Sequence, residues 1–279
     1  MTHFAVNPSA AAWWLLLFAG VVLNGLAAVL VWWRGSVTGG GAATGVVVGS
    51  VIFGFGGPLF WVVLMCFFVS STALSRAGSE RKAPLARIHQ KGSRRDAVQV
   101  LANGGVGAVC ALVFGITREP AWALGFAVSL ASSNADTWAS EIGELSRRDP
   151  VSLLGFRRVP RGVSGGVSPL GTVMAAAGAL FIGLAFALLN LYAPTAAGTF
   201  PVVAGIVAAG GFLGSLVDSF LGATVQAQYR SRSTELTELA AAEDGRRNQL
   251  ARGLAFVNND VVNALSCAAV TAAAVLIAR

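Results

Sequence analysis

A run of about twenty apolar residues has no stable place in water, and this chain of 279 residues is built largely from such runs. They fall at 11–33, 40–54, 57–74, 97–116, 120–138, 166–191, 200–227 and 256–278, with polar breaks between them. In lipid the backbone must satisfy its own hydrogen bonds, so runs of this length read as helices. The expected fold is all-α: a polytopic membrane helical bundle of about eight transmembrane helices, forming one membrane domain over 1–279. The second run is short and carries Gly39, Gly40, Gly41, Gly45, Gly49 and Gly54, which leaves open whether it crosses fully. Composition agrees with a lipid-embedded chain, at 55% apolar and 12% charged residues.

The cations orient the bundle. Arg34, seven residues in 75–96, five in 139–166 and five in 228–253 make up eighteen of the twenty Lys and Arg. With eight spans these segments share one side, and the positive-inside rule makes that side cytosolic and leaves both termini non-cytosolic. Cytosolic loops are therefore expected at about 75–96, 139–166 and 228–253, the last lying over the cytosolic face with helical patches. The net charge of +7 follows from this topology and from anionic ligands, and gives no argument for a nucleic-acid partner. Cys66, Cys110 and Cys267 lie inside spans without paired spacing, which speaks against disulfides and zinc. The two histidines, His3 and His89, support no histidine-based mechanism. Eighteen Arg against two Lys suggests a GC-rich prokaryotic genome, hence a multi-pass protein of an inner membrane.

Polar residues inside the spans collect toward the cytosolic leaflet. The stretch SNADTWASEIGELS, 133–146, brings Asn134, Asp136 and Glu141 to the end of the fifth span. Asn103 lies two turns inside the fourth, and Asn258, Asn259, Asp260 and Asn263 open the eighth. Asp218 sits nine residues before the end of the seventh, about 13 Å deep at 1.5 Å per residue. Carboxylates gathered there repel unless they share a proton or a cation. Mg²⁺ takes a couple of carboxylate oxygens and keeps its other positions for water and phosphate, which suits Asp136 and Asp218 with Glu141 or Asp260 assisting. Each acid taken alone could instead cap a helix or pair with an arginine.

The loop RRDPVSLLGFRRVPRGVSGGVSPLG, 147–171, offers the complementary half. Arg157, Arg158 and Arg161 can neutralise phosphate oxygens. Gly162, Gly165 and Gly166 let backbone N–H groups approach an anion, and Ser164 or Ser168 can cap the helix that follows. The spacing is not that of a Walker A loop. A second basic segment, 81–105, brings Arg94 and Arg95 close to Asn103 and suits a lipid headgroup or a second phosphate.

RRDAVQVLANGG, SNADTWASEIG, VPRGVSGGVSPLG, GSLVDSFLGATVQ and NNDVVN, in this order and spacing, resemble the integral membrane family that includes plant phytyl-phosphate kinase and animal transmembrane protein 19. The resemblance spans about 36–270. It implies a kinase that transfers a phosphoryl group from a nucleoside triphosphate to an isoprenoid monophosphate, giving the diphosphate. Asp136, Ala139, Ser140 and Gly143 with the following loop are more distantly similar to dolichol kinase, phytol kinase and phosphatidate cytidylyltransferase, which implies CTP and a divalent metal. Those relatives carry lysine where this loop has arginines. The reading thus makes Asp136, Asp218 and Arg161 catalytic, with Asp136, Asp218, Glu141 and Asp260 as metal ligands. Asn134, Arg157, Arg158, Arg161, Gly162, Ser164, Gly165, Gly166, Ser168, Asn259 and Asn263 would take the nucleotide, and Arg94, Arg95 and Asn103 the substrate headgroup. The expected partners are the prenyl monophosphate, the nucleotide, Mg²⁺ and the bilayer, and a homo-oligomer is compatible with the sequence. A CTP-dependent lipid-phosphate cytidylyltransferase and an isoprenoid-lipid transporter remain as alternatives.

Overall fold

The computed structural model describes residues 10–77, 94–146, 148–231, 236–242 and 244–279. Among them are eight α-helices: α1 (Ala10–Trp33), α2 (Gly39–Val51), α3 (Gly57–Arg76), α4 (Ala97–Thr117), α5 (Pro120–Gly143), α6 (Pro169–Tyr192), α7 (Phe200–Thr224) and α8 (Asn259–Ile277). Each overlies one expected apolar run. A π-turn, Ile52–Gly56, continues α2, and the chain reverses into α3 at Gly57, whose φ of 80° suits glycine.

Contacts at successive levels set the helix directions. Phe60 stacks on Phe126, Ser71 bonds Asn134 and Ser75 bonds Glu141, so α3 and α5 run parallel. Gly125 lies against Val275 and Ser129 meets Cys267, so α8 runs against α5. Gly143 abuts Gly171 while Gly178 abuts Trp138, which makes α6 antiparallel to α5 as well. Val37 bridges Arg95, and Gly115 packs on Phe55, so α2 and α4 run parallel. Direction therefore alternates along the chain, and Arg34, Arg76, Arg94, Arg95 and the described residues of 144–168 and 225–258 gather at one end. Arg118 and Arg279 lie at the other, where Arg279 pairs with Glu119 at 3.2 Å.

Helix starts differ between the two ends. At the cationic end Thr38, Asp96, Ser168 and Asn258 cap α2, α4, α6 and α8 through side-chain oxygens, and Asp96 and Gln99 close a reciprocal capping box. At the opposite end α3, α5 and α7 begin without a side-chain cap and with proline in the first turn. The positive dipole ends of four helices thus point toward the cationic end.

Helix α5 is the axis of the bundle, packed on α3, α4, α6, α7 and α8. Every residue from Ala123 to Ala135 is buried, and Phe60, Phe114 and Phe126 stack beside it. Among the described residues six helical stretches are long and apolar enough to cross a membrane, and one of them, Gly39–Arg76, contains both α2 and α3. Helix α5 is not among them, because Ser129, Ser132, Ser133, Asn134 and Asp136 lower its hydropathy. A helix walled from lipid by its neighbours tolerates such residues.

The all-α expectation holds for the bundle but not for the loops. Strand β1 (Val151–Ser152) pairs with β2 (Gly166–Val167), and β3 (Gln228–Arg230) lies between β4 (Leu236–Thr237) and β5 (Gln249–Arg252). The helical patches expected in 228–253 are replaced by this three-stranded sheet. Most of the expected loop 75–96, at 78–93, lies outside the described residues, as do 147, 232–235 and 243.

Candidate active site

A cavity of about 510 Å³ lies at the cationic end, between the last turns of α5, the starts of α4, α6 and α8, the end of α7 and the loop 161–168. Asp136 and Asp218 both line it and bring their carboxyl groups close together. Asp218 is six residues before the end of α7, about 9 Å deep at 1.5 Å per residue and shallower than the apolar run suggested. On α8, Ser266 Oγ donates to Asp218 Oδ2 at 3.0 Å. The Asn263 amide, oriented to satisfy its neighbours, donates to the same oxygen at 2.9 Å and to the Asn259 carbonyl at 3.2 Å. Asn263 thus holds a carboxylate in place and also lines the cavity.

Asp260, buried in the first turn of α8, and Asn259 line the same cavity. Glu141 lines it too and accepts from Ser75 Oγ. Among the described residues no three His, Cys, Asp or Glu side chains form a ready-made metal set. The four expected ligands are therefore one contacting pair, Asp136 and Asp218, with Glu141 and Asp260 elsewhere on the wall.

The glycine loop lines the same cavity. Gly162 and Gly165 have φ near +80° and +78°, and a Cβ on Gly165 would fall 2.4 Å from the Ala223 backbone nitrogen. Only glycine lets the loop press onto the end of α7. Replacing Gly165 with alanine should cost about 2 kcal/mol or more, from left-handed strain plus overpacking. A lowered melting temperature and faster tryptic cleavage at Arg157, Arg158 or Arg161 would show it; a wild-type profile would refute it. Arg161 lines the cavity with its Nε 3.7 Å from Asp149 Oδ1, both side chains being 42% or more exposed. Such a pair is worth under about 1 kcal/mol, so the guanidinium is readily redirected to an anion. Ser164, Gly166 and Ser168 also line the wall, and Ser168 Oγ is committed to capping α6 through Gly171 N–H at 3.1 Å.

A second arm of the cavity reaches Ser75, Arg95, Gln99 and Asn103. Arg95 lies over the Phe67 and Phe68 rings and donates to Thr72 Oγ1 at 3.3 Å. Burial pushes its guanidinium below the usual range while Glu141 pulls it back up. Arginine remains charged under such shifts, so this arm presents a fixed cation.

Four expected residues do not line the cavity. Asn134 accepts from Ser70 and Ser71 and donates to the Gly178 carbonyl at 2.8 Å, tying α5 to α3 and α6. Arg157 and Arg158 flank the exposed turn made by Gly155 and Phe156 at positive φ. Arg94 donates to the Val37 carbonyl at 3.2 Å. In their place the cavity gains Gln99, Thr137, Ser140, Ser215, Gln226 and Glu238. Thr137 and Ser140 share the cavity face of α5 with Asp136, a relation that helical periodicity could have shown.

This is a multi-pass membrane protein whose bundle encloses a polar cavity at its cationic end. The chain belongs to the family described as integral membrane protein DUF92, whose model matches residues 22–271. It is the family expected from the motifs. The chain is 32% identical to Protein PGR of Arabidopsis thaliana over 59% of its own length and 63% of that protein. It is 32% identical to an uncharacterized membrane protein of Methanocaldococcus jannaschii over 63% of its own length and 69% of that protein. With the chloroplastic Protein VTE6 of Arabidopsis thaliana the identity is 23% over 80% of this chain and 60% of that one. The matches thus span less than two thirds of either plant protein. No solved structure matches the chain.

Proposed function

We propose that the protein is an isoprenoid monophosphate kinase that makes a prenyl diphosphate at the expense of a nucleoside triphosphate, with CTP favoured. One observation carries this reading above the others: the Asp136–Asp218 pair and the glycine–arginine loop line one cavity. The motif resemblance to phytyl-phosphate kinase and the family membership support it. The bundle is read as eight crossings, with the cationic end in the cytosol and both termini outside, in a prokaryotic inner membrane.

The donor set suits Mg²⁺, since two contacting carboxyls leave the remaining positions to phosphate and water. Held by Asp136 and Asp218, the ion would neutralise charge on the nucleotide phosphates. Arg161 and the N–H groups of Gly162, Ser164 and Gly165 bind and align the triphosphate, while the Gly166 N–H is held by the Val163 carbonyl and the Ser164 hydroxyl by Glu238. Arg95, Gln99 and Asn103 hold the acceptor monophosphate in the second arm while the prenyl chain lies toward lipid. An acceptor oxygen then bonds to the γ-phosphorus as the bridge to the β-phosphate breaks, releasing the nucleoside diphosphate. The acceptor is already ionised near neutral pH, so alignment and charge stabilisation suffice without a strong base.

The test is to incubate purified protein with farnesyl, geranylgeranyl or phytyl phosphate, each nucleoside triphosphate and Mg²⁺, and to weigh the products. A prenyl diphosphate formed fastest with CTP is expected. A CMP-linked lipid with released pyrophosphate would make it a cytidylyltransferase instead. No nucleotide-dependent product from folded protein would overturn both and favour a transporter.

A further inference from the structure

The segment between α7 and α8 is absent from the reaction just described, yet its side chains converge on one residue of the anion loop. The stem closes where Ala227 N–H bonds the Val257 carbonyl and Leu254 N–H the Val225 carbonyl. A Cβ on Gly253, at φ +77°, would fall 2.1 Å from the Gln226 carbonyl oxygen, so the two ends of the excursion meet as closely as backbone allows. Above this stem three elements deliver polar groups to Ser164. From β5, Arg252 Nη2 donates to the Ser164 carbonyl at 2.8 Å and to that of Gly222 at 3.3 Å. From β3, Gln228 Nε2 donates to the same Ser164 carbonyl at 3.4 Å. Just past β4, Glu238 Oε1 accepts from Ser164 Oγ at 2.7 Å and from Gln226 Nε2 at 2.8 Å.

Gln226 and Gln228 are 2% and 1% exposed, and both spend their amide nitrogens within this cluster, on Glu238 and on the Ser164 carbonyl. Ser164 stands between Gly162 and Gly165, the two residues whose positive φ gives the loop its freedom. A loop with two such hinges is set by whatever grips its middle. We infer that the sheet is a clamp, and that Glu238 and Arg252 are positioning residues that fix Ser164, and with it the 162–166 backbone, in the shape that receives nucleotide phosphate. The inference rests on the reading of this loop as the phosphate site. It gives the 226–257 excursion a part in substrate binding, and it predicts that the clamp acts on nucleotide affinity more than on the rate of transfer.

The full chain, purified in detergent, is assayed for KM and kcat and titrated with magnesium pyrophosphate by calorimetry. Glu238→Ala and Arg252→Ala should each raise the nucleotide KM and the pyrophosphate Kd by about tenfold, the effect of one charge-assisted hydrogen bond, with kcat within about threefold. Glu238→Gln, which keeps an acceptor for Ser164 and Gln226, should restore most of the loss. Ser164→Ala should weaken pyrophosphate as Glu238→Ala does, and the double variant should add little, because both remove the bond between Ser164 and Glu238. Should Glu238→Ala fail to fold, Ser164→Ala and Glu238→Gln carry the test. Pyrophosphate bound equally by wild type, Glu238→Ala and Ser164→Ala would overturn the clamp and leave the kinase reading standing. Wild-type protein that binds no pyrophosphate would overturn both.

Discussion

Asp136→Asn is expected to lower prenyl diphosphate formation by about a thousandfold or more, since it removes charge where metal and phosphate meet, while the protein stays folded. The amide keeps the shape of the side chain and can still hydrogen-bond Asp218, so packing is preserved. It also relieves the approach of two acids inside the bundle. The variant should therefore melt no lower than wild type, a separation of activity from stability found where a site is built at the expense of the fold. Initial rates across a Mg²⁺ titration, together with a thermal melt, check both halves. Rates within threefold of wild type at saturating Mg²⁺ would remove the acid pair from the chemistry.

Whether the residues around this pair could be read from sequence depended on how locally their positions were determined. The helices could be, since each follows from an apolar run, and Ser168 and Asn258 stood at the starts of α6 and α8. Asp136 and Asp218 stood out because acids in apolar runs need a reason. Asn134 was grouped with Asp136 by nearness in sequence, but two residues along a helix is a turn of about 200°, so the two side chains face opposite ways. Arg157 and Arg158 looked equivalent to Arg161, yet the turn at Gly155 and Phe156 faces them outward. Glu238 and Arg252 were not legible at all. Their strands are two and four residues long, too short for an alternating pattern, and their register with β3 is set by pairing across the sheet.

The apposition of Asp136 and Asp218 itself has a cause one turn earlier. Helix α7 meets α5 through Gly210, Gly211 and Gly214, which lie against Val128, Ala131 and Ser132. A Cβ on Gly214 would fall 2.0 Å from Ser132 Oγ and 2.6 Å from Ser132 Cβ. Four residues on from Gly214 is Asp218, and four on from Ser132 is Asp136. In parallel helices one register therefore seats glycine on serine and carries acid to acid, the use of small residues that lets membrane helices approach closely. Gly214→Leu should wedge α7 away from α5, cost about 3 kcal/mol from overpacking, and part the carboxyls. The expected outcome is activity as low as in Asp136→Asn, now with a lowered melting temperature and a raised Mg²⁺ requirement. Gly205→Leu, on the same helix where a Cβ meets nothing within 4 Å, should change neither. Wild-type rates in Gly214→Leu would mean that the acids do not depend on this crossing for their placement; a loss shared equally by Gly205→Leu would point to bulk in α7 in general.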